Sequence, residues 1–185
     1  MKPKATTMQQ RMGFSDPDLT SSKHDEIILW LVENCEQVAR AIGGFKGEPF
    51  LSMGHRCADE WRKDAMVKFE AEKEGRCPQF SIRLESPIMD RTFIVGFVDA
   101  IITVASPCLR CYADDHRPAY HWDWSKAAEF YVEVKPSIPS FGEVLRQIRH
   151  YQAYCGSATM LVCSPDIRFK THIEQQDIGF IVYPS

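Results

Sequence analysis

The chain has 185 residues, 44% of them hydrophobic and 25% charged, with a net charge of -3 from 22 basic and 25 acidic side chains. That is enough for one domain with its own core, and too apolar for a wholly disordered polypeptide. The charge balance excludes a polybasic coat, though not a local basic groove.

Residues 1–20 are polar and carry Gly13 and an Asp16-Pro17-Asp18 turn signal, which reads as a flexible N-terminal arm. Residues 21–185 read as a single domain. A helix is expected after Ser22, where Ser22 to Asp25 resembles a capping box. Ile27, Leu31, Asn34 and Val38 share a face, and Gly43-Gly44 ends the helix. A second helix is expected from Ser52 to Lys73, with Ala58, Trp61, Ala65, Phe69 and Glu72 at helical spacing and Gly75 as its stop. Gln79 to Leu84 reads as a strand, followed by a turn through Ser86-Pro87 and Met89-Asp90. Thr92 to Val104 is an almost wholly apolar strand, the pattern of a strand covered on both faces. Residues 105–127 read as a long polar loop, and Glu129 to Lys135 as the next strand. Ser140 and Glu143 open a helix running to Tyr154. A strand at Ala158 to Cys163, a short helix at Thr171 to Gln176 and a strand at Phe180 to Tyr183 complete the order. The expected class is mixed α/β, one sheet with helices on both faces.

The lysines and arginine near the start (Lys2, Lys4, Arg11) precede no apolar block, and no apolar run reaches bilayer length, so the expected location is the cytoplasm. Seven cysteines spread from Cys35 to Cys163 fit reduced thiols, with room for a metal site, better than a disulfide framework.

Asp99 is the only charge within Phe93 to Ile102. A carboxylate buried in such a strand is costly unless paired or bound to metal. In the following strand Glu133 and Lys135 are two apart and project from one face, while Val132 and Val134 project from the other. If the strands are neighbours, two carboxylates and an ammonium meet. Two such carboxylates resist joint ionisation unless a cation lies between them, and Mg²⁺ with oxygen ligands meets that need. The alternative reading of the same three groups is a buried ion-pair network. On the next helix Gln147 and Tyr151 share a face and can hydrogen-bond a phosphate or support Lys135; Arg146 and Arg149 flank them and can hold nucleic-acid backbone.

Gly96-x-x-Asp99, Glu133-x-Lys135 and Gln147-x-x-x-Tyr151, in that order, resemble the PD-(D/E)XK nuclease superfamily, and more narrowly its RecB-type exonuclease branch. Ser52-Met53-Gly54-His55 stands where that branch carries a Gly and a metal-binding His. The resemblance covers about residues 52–163. It implies a restriction-endonuclease-like αβββαβ core, a mixed sheet flanked by helices, and dependence on Mg²⁺ or Mn²⁺. It also implies hydrolysis of DNA phosphodiesters, in repair or in defence against foreign DNA. By it, Asp99, Glu133, the main-chain carbonyl of Val134 and His55 would ligate metal, Lys135 would be catalytic, and Gln147 and Tyr151 would position substrate. No cysteine follows Cys163, so the iron–sulfur cluster of some branch members is not expected. Any unwinding activity would belong to a separate helicase or other partner chain. The alternative is a catalytically inactive nucleic-acid- or protein-binding module on the same fold.

Cys108, Cys111, His116 and His121 have the spacing C-x₂-C-x₄-H-x₄-H, close to that of a zinc knuckle, so a structural Zn²⁺ or free thiols with surface histidines both fit. Trp122-Asp123-Trp124 offers either a stacking surface for single-stranded bases or packing that ties a loop down. Trp30 and Trp61 fit helix core faces, and Arg168 and Lys170 read as surface charge.

Overall fold

The computed structural model describes residues 21–43, 48–54, 57–114, 117–156 and 158–184. The expected N-terminal arm lies outside them. Helix α1 spans Ser22–Gly43. Its cap is Ser21, one residue earlier than expected: Lys23 N–H donates to Ser21 Oγ at 3.2 Å. The helix is kinked at Asn34 (φ -116°, ψ 15°), whose side-chain amide donates to Trp30 O at 2.8 Å and takes the carbonyl that a helical N–H would use.

Strand β1, Phe50–Met53, pairs in parallel with β3, from Phe50 opposite Cys108 to Met53 opposite Cys111. Ser52 and Met53 are therefore strand residues, not the start of a helix. Helix α2 begins at Asp59 and runs to Glu72, its first turn carrying Asp59 and Glu60, charges that suit a helix N-terminus. Strand β2, Gln79–Asp90, continues through the expected turn at Ser86-Pro87, with an irregularity at Glu85 (φ 46°). Ser86 and Ile88 are buried, so the chain is held in the sheet there. The reversal comes at Arg91 (φ 54°) and Thr92, a two-residue connection that permits only antiparallel pairing.

Strands β3 (Phe93–Asp114) and β4 (Arg117–Val134) replace the long loop expected over residues 105–127. The polar composition there has no strand signature of its own. The pairing partner supplied by β1 at residues 108–111 satisfies the backbone regardless of composition. Helix α3, Phe141–Cys155, starts after Ser140, which makes no side-chain capping bond, and ends at Gly156 (φ 61°). Strand β5 (Thr159–Ser164), a short turn at Ile167–Phe169, helix α4 (Lys170–Glu174) and strand β6 (Gly179–Val182) follow. The six-stranded sheet has the order β1-β3-β4-β5-β6, with β2 paired to β3. β4 with β5 and β5 with β6 are parallel, so the fold is mixed α/β with a mixed sheet.

The chain divides into two compact units, one of the chain up to residue 44 with residues 81–102 and 129–185, the other of residues 45–80 and 103–128. The core of the first joins Val98 and Ile101 of β3, Val144, Ile148 and Tyr151 of α3, and Met160 and Val162 of β5. None of the described helices is long and apolar enough to cross a membrane.

The segment after β4 is pinned by Asp166, which accepts Ile138 N–H at 2.9 Å and Arg168 Nε at 2.8 Å, while Arg168 Nη2 donates to Ile138 O at 3.1 Å. The Arg168 guanidinium holds Asp166 well below the usual carboxylate range. Asp166→Ala is expected to cost about 1 kcal/mol in urea denaturation, since solvent screens the exposed Arg168. A carboxylate with a depressed folded pKa stabilises fully above its ordinary value of 3.8 and loses that contribution as pH falls below it. The wild-type and variant stabilities should therefore converge in acid.

Candidate active site

The first unit gathers the ionisable side chains that the sequence singles out. Asp99, on β3 between the fully buried Val98 and Ala100, is itself 5% exposed. Its Oδ2 accepts the Val134 N–H at 2.7 Å, which docks it onto β4 between Glu133 and Lys135. Its Oδ1 lies 3.3 Å from Nε2 of His24 on α1. Glu133 is 2% exposed. Its Oε1 lies 3.2 Å from Lys135 Nζ and accepts the Gln147 amide at 2.6 Å. The same amide donates to the Tyr151 hydroxyl at 3.1 Å, so the α3 pair acts across one helical turn. Lys135 N–H bonds Cys163 O at 2.9 Å, which keeps it in register beyond the end of β4.

Electrostatics tie these groups together. Burial alone lowers the His24 pKa, but the hydrogen bond and charge of Asp99 outweigh it, and the net shift is upward. His24 is thus biased toward the imidazolium form that balances a buried carboxylate. Burial raises the Tyr151 phenol well above its ordinary range, and the Glu133 and Asp99 carboxylates add to this, so Tyr151 stays protonated. Burial, with the Asp99 charge adding, pushes the Cys163 thiol up to about 12, an unreactive thiol. Gly96 makes room for Tyr151: a Cβ there would lie 2.7 Å from Tyr151 Cε1.

Asp99, Glu133, Lys135, Gln147 and Tyr151 therefore converge, although they span residues 99–151 of the chain. Val134 joins them through its N–H. His55 lies outside the described residues. His24 is the site residue that sequence reasoning missed. Its signal was available: it stands three before Ile27 and seven before Leu31, a titratable side chain on a buried helix face. Arg149 donates to Gln152 at 2.9 Å and to Gln176 O at 3.1 Å, and Arg146 is exposed, 3.9 Å from Glu143. Among the described residues no group of three or more His, Cys, Asp and Glu side chains is gathered as a ready metal site.

In the second unit, Cys108 and Cys111 are three apart on β3 and so project to opposite faces; His121 is on β4, and His116 lies outside the described residues. Trp122 packs against Phe69 at 5.9 Å, carries Arg76 over its ring at 4.0 Å and donates to Glu72 at 2.8 Å. Trp61 packs on the Cys57 cluster, and in the first unit Trp30 meets Tyr183 edge-on. Compared with known proteins, the chain matches no family model, no curated protein and no solved structure.

The Gly96–Tyr151 contact yields a double-mutant test. Gly96→Ala is expected to cost about 1–3 kcal/mol in a well-packed sheet. Added to a Tyr151→Ala background, it should cost far less, because the clashing ring is gone. Equal costs in both backgrounds, measured by denaturant unfolding, would refute the packing role.

Proposed function

We propose that this protein is a metal-dependent deoxyribonuclease with a restriction-endonuclease-like core. The observation that carries the reading is the bond from Asp99 to the main-chain N–H between Glu133 and Lys135, which brings an acid from one strand to a Glu-x-Lys on the next. The first unit, followed by itself, supports it: it runs α1, β2, β3, β4, α3, β5, the αβββαβ order. In this register the leading helix is α1, which carries His24.

The donor set suits a hard divalent ion: the carboxylates of Asp99 and Glu133 would hold Mg²⁺ or Mn²⁺, and His24 would add an imidazole nitrogen once the ion displaces its proton. When bound, the ion lowers the pKa of a coordinated water and offsets charge on a phosphoryl oxygen. The chain's own groups do the rest. Lys135 places a positive charge next to Glu133 and neutralises charge developing on the phosphate. Gln147 holds Glu133 in orientation, and the protonated Tyr151 offers a hydroxyl donor. Water adds to phosphorus and the bond to the 3′ oxygen breaks, leaving a 5′-phosphate and a 3′-hydroxyl.

One observation favours a second reading, an inactive binding module. Asp99 is engaged by His24 and Val134, and Glu133 by Lys135 and Gln147, so the carboxylates have partners without an ion. The two readings part in one assay. Linear and covalently closed DNA incubated with Mg²⁺ or Mn²⁺ should be cleaved by the wild type. Glu133→Gln and Lys135→Gln should lower the rate at least ~10²-fold, with thermal melts confirming a folded chain. Metal-independent DNA binding with no cleavage would replace the nuclease reading by the module, and unchanged rates in both variants would refute the assignment of these residues.

A further inference from the structure

The second unit has a thin core. Its buried cluster is Cys57, Ala65 and Cys111, with Leu51, Trp61 and Tyr120 packed against it, so two of the three central members are thiols. Along β3, Val104, Ser106, Pro107, Cys108 and Leu109 are buried as well. Two thiols meeting inside such a cluster can serve as a cross-link, covalent or metallic.

The two sulfurs are 3.6 Å apart, on residues 54 positions apart in the chain. Backbone bonds set this meeting. Gly54 N–H donates to Cys111 O at 3.1 Å, and Cys57 N–H donates to Gly54 O at 3.1 Å, so Cys57 is held at the end of the β1–β3 pair. Cys57 Sγ also lies 3.2 Å from Cys111 O. A sulfur–sulfur distance of 3.6 Å is far beyond a disulfide bond. It is close to the edge of a tetrahedral thiolate site, about 3.8 Å for a zinc–sulfur bond of about 2.3 Å. The Tyr120 hydroxyl, in the same cluster, is buried with no hydrogen-bond partner among the described residues.

We propose that Cys57 and Cys111 bind one zinc(II) ion as a thiolate pair and so staple the β1–α2 connection to β3. Each thiol gives up its proton as the ion binds. The pair supplies half of a tetrahedral set; among the described residues no third His, Cys, Asp or Glu joins it, and His55 lies outside them. The site keeps Cys111 of the Cys108-x-x-Cys111 motif and replaces Cys108 by Cys57. It stands independently of the nuclease reading.

The full chain, loaded with zinc and desalted, should carry about one zinc per molecule by elemental analysis. Its cobalt(II) form should show the near-ultraviolet band of thiolate-to-cobalt charge transfer. Cys57→Ser and Cys111→Ser should each lose most of the zinc, and Cys108→Ser should keep it. Chelation should lower the melting temperature of the unaltered chain. A cobalt form without the thiolate band, zinc retained in both the Cys57 and Cys111 variants, or a Cys57–Cys111 disulfide in the protein as isolated would each overturn the proposal. If a serine variant fails to fold, the cobalt spectrum of the unaltered chain decides.

Discussion

A carboxylate in the middle of an apolar strand loses its hydration and must recover that energy from fixed partners. Asp99 recovers it from two directions, the Val134 N–H on the neighbouring strand and the His24 imidazole on α1. Both bonds are long-range in sequence, so the charge is tolerable only when β3, β4 and α1 are assembled together. The same requirement governs Glu133, which is buried against Lys135 and Gln147. The upward shift of His24 has the same origin: a buried anion draws a proton onto the nearest base.

These charges set demands on the packing around them. α3 has to present Gln147 and Tyr151 toward β4, and it does so by burying Val144 and Ile148 on the same side. The Tyr151 ring reaches the cluster because β3 has glycine at position 96, with no Cβ in its path. A close-packed interior leaves little freedom here, since a displaced ring would move the hydroxyl that Gln147 holds. The chemistry proposed for the site thus rests on ordinary core packing as much as on the charged residues themselves.

The two units meet their stability problem differently. The first buries a broad apolar cluster drawn from β3, α3, β5 and the segments around α4 and β6. The second places two thiols in its buried cluster, beside Val104 and Leu109 buried along β3. Thiols pack as small hydrophobes, but they also ligate soft and borderline metals, and the meeting of Cys57 with Cys111 of β3 makes the cluster a site for a cross-link.

Local pattern alone determined a good part of this protein. The apolar run ending near Val104 marks a central strand, the alternation of Val132, Glu133, Val134 and Lys135 assigns their faces, and four-residue spacing joins Gln147 to Tyr151. These properties follow from backbone geometry, which repeats every two residues in a strand and about every four in a helix. Tertiary structure decided what depends on partners distant in the chain. Residues 105–114 and 117–127 became strand because a neighbouring backbone was there to pair with them. Ser52 and Met53 joined β1 rather than a helix for the same reason. His24, from the far end of the chain, reached Asp99 because α1 packs its buried face there, a placement set by the competition among all the apolar surfaces rather than by any local spacing.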